Sequence, residues 1–151
     1  MTDRAIVIHA SQAVVYDLVA DPMRMAEWSP ECVRCLWVDG AREPAVGARF
    51  RGTSRNGRHR WTTTSTIVEM RPAEGFAWEV TYFGRPVARW EYRIEPHAEG
   101  VELVESVEDR RGRLLRAVSP YVTGSRDRAE RNADTMESTL QAVKAAAEAS
   151  A

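Results

Sequence analysis

From Gly47 to Pro96, aromatic residues recur on alternate positions of successive extended runs: Phe50 in ARFRGTSR, Trp61 in HRWTTTSTIVEM, Phe76, Trp78 and Tyr82 in FAWEVTYF, and Trp90 and Tyr92 in ARWEYRIEP. Side chains alternate faces along a strand, so this period places them on one side of an antiparallel sheet. Turn chemistry separates the runs at Asp39-Gly40, Asn56-Gly57, Glu74-Gly75, Gly84-Arg85-Pro86 and Glu99-Gly100. Strands are predicted over 31–38, 48–55, 58–70, 75–83, 86–95 and 100–109, joined mostly as a meander, with another over RAIVIHA at 4–10. Ser11 is a candidate N-cap for a short helix carrying Val14, Val15, Leu18 and Val19 on one face. Asp21-Pro22 starts a second, two-turn segment that Ser29-Pro30 ends. Residues 110–122 read as a connection, with or without a helical turn. Ala129, Ala133, Met136, Leu140, Val143 and Ala147 then recur at steps of four and three, predicting one amphipathic helix of about 24 residues.

Seven strands, two small helices after the first and one long helix at the end make an α+β chain with segregated helices. Its 151 residues suit a single domain over 1–151, with one core that buries roughly two-thirds of the unfolded surface. The formal net charge of −1 gives no global field for a phosphate polymer, so nucleic acid is not an expected partner. MTDRAIVIHASQ has no basic segment followed by an apolar one, and no run is long enough to span a bilayer. The expected location is the cytoplasm.

Element order and local sequence together carry a resemblance. The helix after the first strand, ADPMRMAEWSPE at 20–31, VGARFRGTSRNGRHRWTTTSTI at 46–67, FAWEV and ARWEYRIEP resemble the START-like, or helix-grip, superfamily, in its polyketide cyclase/dehydrase-like branch. The resemblance covers essentially the full length. It implies a curved sheet wrapped on the C-terminal helix around a deep cavity, which different members use to carry lipids, hold polyketides during cyclisation or contact partner proteins. Fold identity alone transfers little chemistry.

The candidate ligand-binding residues are Trp28, Phe50, Trp61, Thr63, Trp78, Tyr82, Trp90, Tyr92, Ala133 and Met136. An aromatic sheet face is ordinarily core. Here the small Ala129 and Ala133 face it from the first half of the helix and leave space, which suits an apolar or aromatic small molecule. Trp28 is placed beside the cavity mouth by the resemblance, where it would act as a lid or simply pack the short helices. Catalytic signatures are absent: His9, His59 and His97 form no triad, Ser65 lacks a G-x-S-x-G context, and no metal-ligand spacing occurs. Neither a metal nor a cofactor is expected. Weak candidates for polar roles are Glu105, Tyr92, Tyr82 and Ser65. Glu105 matters most, because VELVESVED has no single phase and an inward carboxyl would have a raised pKa.

Glu69, Glu79 and Glu91 alternate away from the aromatics and are expected to pair with Arg60, Arg89 or Arg93 on a solvated outer face. Cys32 and Cys35 lie three apart in a predicted strand, where they should point to opposite faces and serve structural roles. Arg110, Arg111, Arg113 and Arg116 surround Leu114 and Leu115, as either a solvated loop or a gate that touches an anionic membrane or acidic partner. Three functions follow: a carrier of a polyketide- or lipid-like molecule, a metal-free aromatase/cyclase or dehydratase, and an interaction module with a collapsed cavity.

Overall fold

The computed structural model describes residues 1–150. Its seven strands are β1 (Thr2–Ile8), β2 (Cys32–Val38), β3 (Arg49–Asn56), β4 (His59–Arg71), β5 (Gly75–Tyr82), β6 (Arg85–His97) and β7 (Gly100–Asp109). They form one antiparallel sheet in the order β1-β7-β6-β5-β4-β3-β2, a meander closed by the first strand alongside the last. Helix α1 (Gln12–Val19) and a 3₁₀ helix (Pro22–Glu27) follow β1, while α2 (Arg113–Thr123) and α3 (Arg128–Ala149) end the chain.

Local chemistry sets these boundaries. Ser11 Oγ accepts from the Val14 amide at 3.2 Å and opens α1, whose Val15, Leu18 and Val19 are buried. Asp21 caps the 3₁₀ helix through the Met23 amide at 3.0 Å, with Pro22 in its first turn. The β3–β4 loop is Gly57-Arg58, one residue later than the Asn-Gly signal implies, because Asn56 pairs with His59. Gly57, at φ 60°, fits the first loop position of a type II′ turn.

Residues 110–122, expected as a connection, contain α2. Leu115, Ser119 and Thr123 recur every four residues and are its buried face. Asn56 Nδ2 donates to the Thr123 carbonyl at 2.8 Å, and the Arg110 amide to the Val87 carbonyl at 2.8 Å. Helix α2 therefore bridges from the β5–β6 side to the β3–β4 hairpin. Gly124 ends it at φ 71°, where a Cβ would stand 2.4 Å from His59 Nδ1.

Single extra residues at Val33, Val68 and Val87 shift the register in the β2–β3, β4–β5 and β5–β6 pairs. Such bulges bend and twist a sheet, which lets this one curve around α3. The core lies under α1 and the C-terminal half of α3, where Ile8, Val15, Phe76, Leu103, Leu140 and Val143 pack together. Lys144 Nζ donates to the Val7 carbonyl at 3.0 Å, and the His9 amide donates to Glu148 at 2.9 Å, so this half of α3 is tied to β1. The outer face is charged as expected: Arg89 meets Glu69 at 3.1 Å and Glu91 at 3.9 Å, and Arg93 meets Glu91 at 3.6 Å. Glu79 pairs with Arg110 at 2.9 Å instead of with a residue of its own sheet. This half-exposed network contributes little stability.

Phe76 is fully buried where α1 meets the sheet. Phe76→Ala should cost about 3–5 kcal/mol in urea unfolding, whereas Leu36→Ala, at an exposed position on the edge strand, should change stability by less than about 0.5 kcal/mol.

Candidate ligand cavity

The two halves of α3 differ in what they face. Leu140, Val143 and Ala147 sit in the core, while Arg128, Ala129, Asn132, Thr135, Met136 and Thr139 line an open space of about 340 Å³ under the sheet. The sheet contributes Phe50, Gly52, Trp61, Thr63 and Ser65 from β3 and β4, then Trp78, Val80, Ala88, Trp90 and Tyr92 from β5 and β6. Trp78 and Trp90 are register partners with ring planes 11° apart and centroids 6.3 Å apart, and Tyr92 lies 5.8 Å from Trp78. This wall is a pair of stacked indoles continued by a phenol.

The structure fixes the phase of β7. Val101, Leu103, Glu105 and Val107 are buried on the concave side, and Glu105 is the register partner of Tyr92. Val104 and Ser106 are buried too, but on the outer face, which is why the sequence shows no alternation there. Glu105 is 4 % exposed, lines the cavity, and its Oε1 has no hydrogen-bond partner. Burial pushes its pKa up to about 8, with the nearby Tyr92 hydroxyl opposing part of the rise. Burial and the Glu105 charge together push the Tyr92 phenol well above its usual range. At neutral pH both groups are uncharged, and with the Tyr92 hydroxyl bonded to Glu105 the free polar capacity in this aromatic setting is the unpartnered carboxyl oxygen.

A second polar group lies where β2 and α3 meet. The Arg128 guanidinium is hydrogen-bonded to Glu31, its Nε donates to Asn132 at 3.1 Å, and it stacks over Trp61 at 5.7 Å. Its Nη1 is buried without a partner. Arg131 adds a 3.3 Å contact to Glu31. On another wall, Arg111 holds Asp109 at 2.8 Å and donates to Ser119 at 3.0 Å, keeping the Asp109 carboxyl below its usual range. No group of three or more metal-ligating side chains occurs among the described residues.

Seven of the ten sequence candidates lie in this wall: Phe50, Trp61, Thr63, Trp78, Trp90, Tyr92 and Met136, together with Ser65 and Glu105. Three do not. Trp28 ends the 3₁₀ helix and packs into the core beneath Arg24, whose guanidinium sits 5.1 Å from the ring; Met25 reaches the cavity in its place. Tyr82 is the last residue of β5, beyond the cavity, and its ring packs edge-on against exposed Phe83 at the turn. Ala133 is rotated off the lining face, which runs through Ala129, Asn132, Thr135, Met136 and Thr139.

Other wall residues were not apparent from sequence. The polar stripe Asn132, Thr135 and Thr139 is hidden in an apolar-period reading, although its three- and four-residue spacing is present. Cys32 and Cys35, expected on opposite faces, both line the cavity because the Val33 bulge adds the residue that restores a common face. Of the arginine cluster, Arg110 and Arg111 are held in ion pairs, and Arg113 and Arg116 are exposed on α2 beside exposed Leu114.

A curved antiparallel sheet gripping a long C-terminal helix, with an aromatic cavity between them, defines a helix-grip protein. The chain belongs to the family described as polyketide cyclase/dehydrase and lipid transport, whose model matches residues 2–148. Among solved structures it is similar to the polyketide-cyclase-like protein Cgl2372 of Corynebacterium glutamicum, at 32% identity over 95% of this chain and 88% of that one, with a TM-score of 0.57. The di-domain ARO/CYC StfQ from the steffimycin biosynthetic pathway shares the fold at a TM-score of 0.74 and 14% identity, covering 97% of this chain and 50% of StfQ. Ginseng major latex-like protein 151 from Panax ginseng does so at a TM-score of 0.71 and 14% identity, over 97% and 95% of the two chains. No curated protein matches. No helix among the described residues is long and apolar enough to cross a membrane.

Because the folded state holds Glu105 protonated up to about pH 8 and the unfolded chain ionises it near 4.5, folding takes up a proton between those values. Its contribution to stability is full below about pH 4.5 and is lost progressively as pH rises through 8. Urea unfolding should therefore show stability falling between about pH 5 and about pH 8.5, and Glu105→Gln should flatten that slope.

Proposed function

We propose that the cavity binds an apolar molecule with planar aromatic or polyketide-like character and at least one oxygen acceptor, and that the protein serves as its binder or carrier. The observation that carries this reading is Glu105: a buried carboxyl, neutral at physiological pH, with an unpartnered oxygen inside an aromatic-walled space. An unmet polar group in such a setting costs free energy unless something bonds it, and a ligand carbonyl or hydroxyl facing Glu105 and Tyr92 would do so. The stacked Trp78 and Trp90 offer a flat apolar surface beside that carboxyl. A volume of about 340 Å³ falls at the lower end for small-molecule sites and speaks against a collapsed interaction module. The family description, with its cyclase and lipid-transport members, and the ARO/CYC neighbour point to ligands of the same kind. Exposed Arg113, Arg116 and Leu114 on α2 would place any anionic surface used for loading next to the helix that covers the cavity.

A second reading, a cyclase or dehydratase, is favoured by the same carboxyl. With a pKa of about 8, Glu105 would protonate a ketone oxygen in its acid form, and its conjugate base would take a proton from the adjacent carbon. Ring closure followed by loss of water needs those two proton transfers in sequence. No metal is required for either.

Titration with a hydroxyanthraquinone, followed by quenching of tryptophan fluorescence, tests the binding reading. Glu105→Gln keeps an N–H donor and should retain affinity; Glu105→Leu should weaken binding about tenfold, and Trp78→Ala by a similar factor. Equal affinity in all four proteins would contradict the reading. Native mass spectrometry of the purified protein should in addition reveal any retained compound. If that compound is turned over by the wild type and not by Glu105→Gln, the enzymatic reading replaces the carrier.

A further inference from the structure

Cys32 and Cys35 lie on the β2 wall of the same cavity. In an unbroken strand their separation of three would send the side chains to opposite faces. Val33 is the extra residue of a bulge, so the chain passes from Cys32 to Cys35 with both sulfurs turned inward and 3.8 Å apart. Both are free thiols. A disulfide requires about 2.05 Å between sulfurs, so closure needs a movement of under 2 Å, and its setting favours that movement. Strand β2 is the last in the sheet, and its outer side carries no ladder that a shift at Val33 would break. Gly52 is the register partner of Cys35, and a Cβ there would stand 3.7 Å from the Cys35 sulfur, so glycine leaves the space above that sulfur open.

The two thiols are also unequal. Cys32 is half-buried and Cys35 is 7 % exposed. The hydrogen bond between them holds the Cys32 thiol below its usual range, while that bond and burial push Cys35 far up. The outer sulfur is therefore the one able to form a thiolate, with its partner held protonated behind it.

We propose that Cys32 and Cys35 form a thiol–disulfide exchange site in the cavity wall, acting on low-molecular-weight disulfides small enough to enter it. The Cys32 thiolate attacks one sulfur of the entering disulfide; that S–S bond breaks, and the first small thiolate leaves and takes up the proton that Cys32 released. In the mixed disulfide Cys32 no longer carries the charge or hydrogen bond that held Cys35 protonated; Cys35 releases its proton to water, its thiolate attacks Cys32 Sγ, and the displaced second thiolate takes a proton up. The protein dithiol loses two electrons and two protons, and the small disulfide gains them as two free thiols.

Reduced full-length protein incubated with hydroxyethyl disulfide, followed by intact-mass and peptide analysis, tests this. The wild type should lose the mass of two hydrogens, form a Cys32–Cys35 bond and release two equivalents of hydroxyethanethiol. Cys35→Ser should stop at a mixed disulfide on Cys32, and Cys32→Ser should react at Cys35 at least about tenfold more slowly. Wild-type protein that accumulates a mixed disulfide without closing, or a first adduct found on Cys35, would overturn the proposal. Since closure is read on the wild type, the test stands even if a serine variant folds poorly.

Discussion

The arrangement rests on one register, the antiparallel pairing of β6 with β7 that sets Tyr92 opposite Glu105. Alternation along both strands then does the rest. Trp90 falls opposite Val107 on the cavity side, and Ile94 falls opposite Leu103 in the core. A one-residue slip would turn the carboxyl to the outer face, toward the network of Arg89, Glu91 and Arg93, where arginines would partner it. The same slip would send Leu103 and Val101 to solvent. Burial of those two residues therefore locks the phase that forces Glu105 inward, and the cost of burying an acid is carried by the hydrophobic core beside it.

That cost explains why the cavity is neutral on the Glu105 side and charged elsewhere. Glu105 avoids an ionic penalty by keeping its proton. Glu31 instead stays beside Arg128 and Arg131, and Asp109 beside Arg111, so those walls carry compensated ion pairs. What differs is the unused capacity: an oxygen on Glu105 and a nitrogen on Arg128 are buried without partners. Helix α3 faces the space mostly with polar or small side chains, Met136 being the apolar exception, and its buried face turns fully apolar where β1 holds it.

The fold was largely legible because its signals are local. Turn pairs such as Glu74-Gly75 and caps such as Ser11 and Asp21 bounded elements to within a residue or two, and the aromatic alternation gave the concave face of β5 and β6. The site was legible only in part. Bulges have no strong sequence mark, and the one at Val33 moved both cysteines into the cavity, while Tyr82 lies past it at the very end of β5. Glu105 was ambiguous because β7 is buried on both faces, with Val104 and Ser106 shielded on the outer side. The Arg128–Glu31 contact joins residues 97 positions apart, a pairing that only the folded chain brings together.

The central claim is that Glu105 remains a neutral carboxylic acid at physiological pH. Difference infrared spectroscopy of wild type against Glu105→Gln, followed through a pH titration, observes this directly. The account predicts a protonated carboxyl C=O band, absent from the variant, that persists through neutrality and disappears with a midpoint near 8. A Glu105 carboxylate already ionised at neutral pH, titrating near the ordinary 4.5, would contradict it.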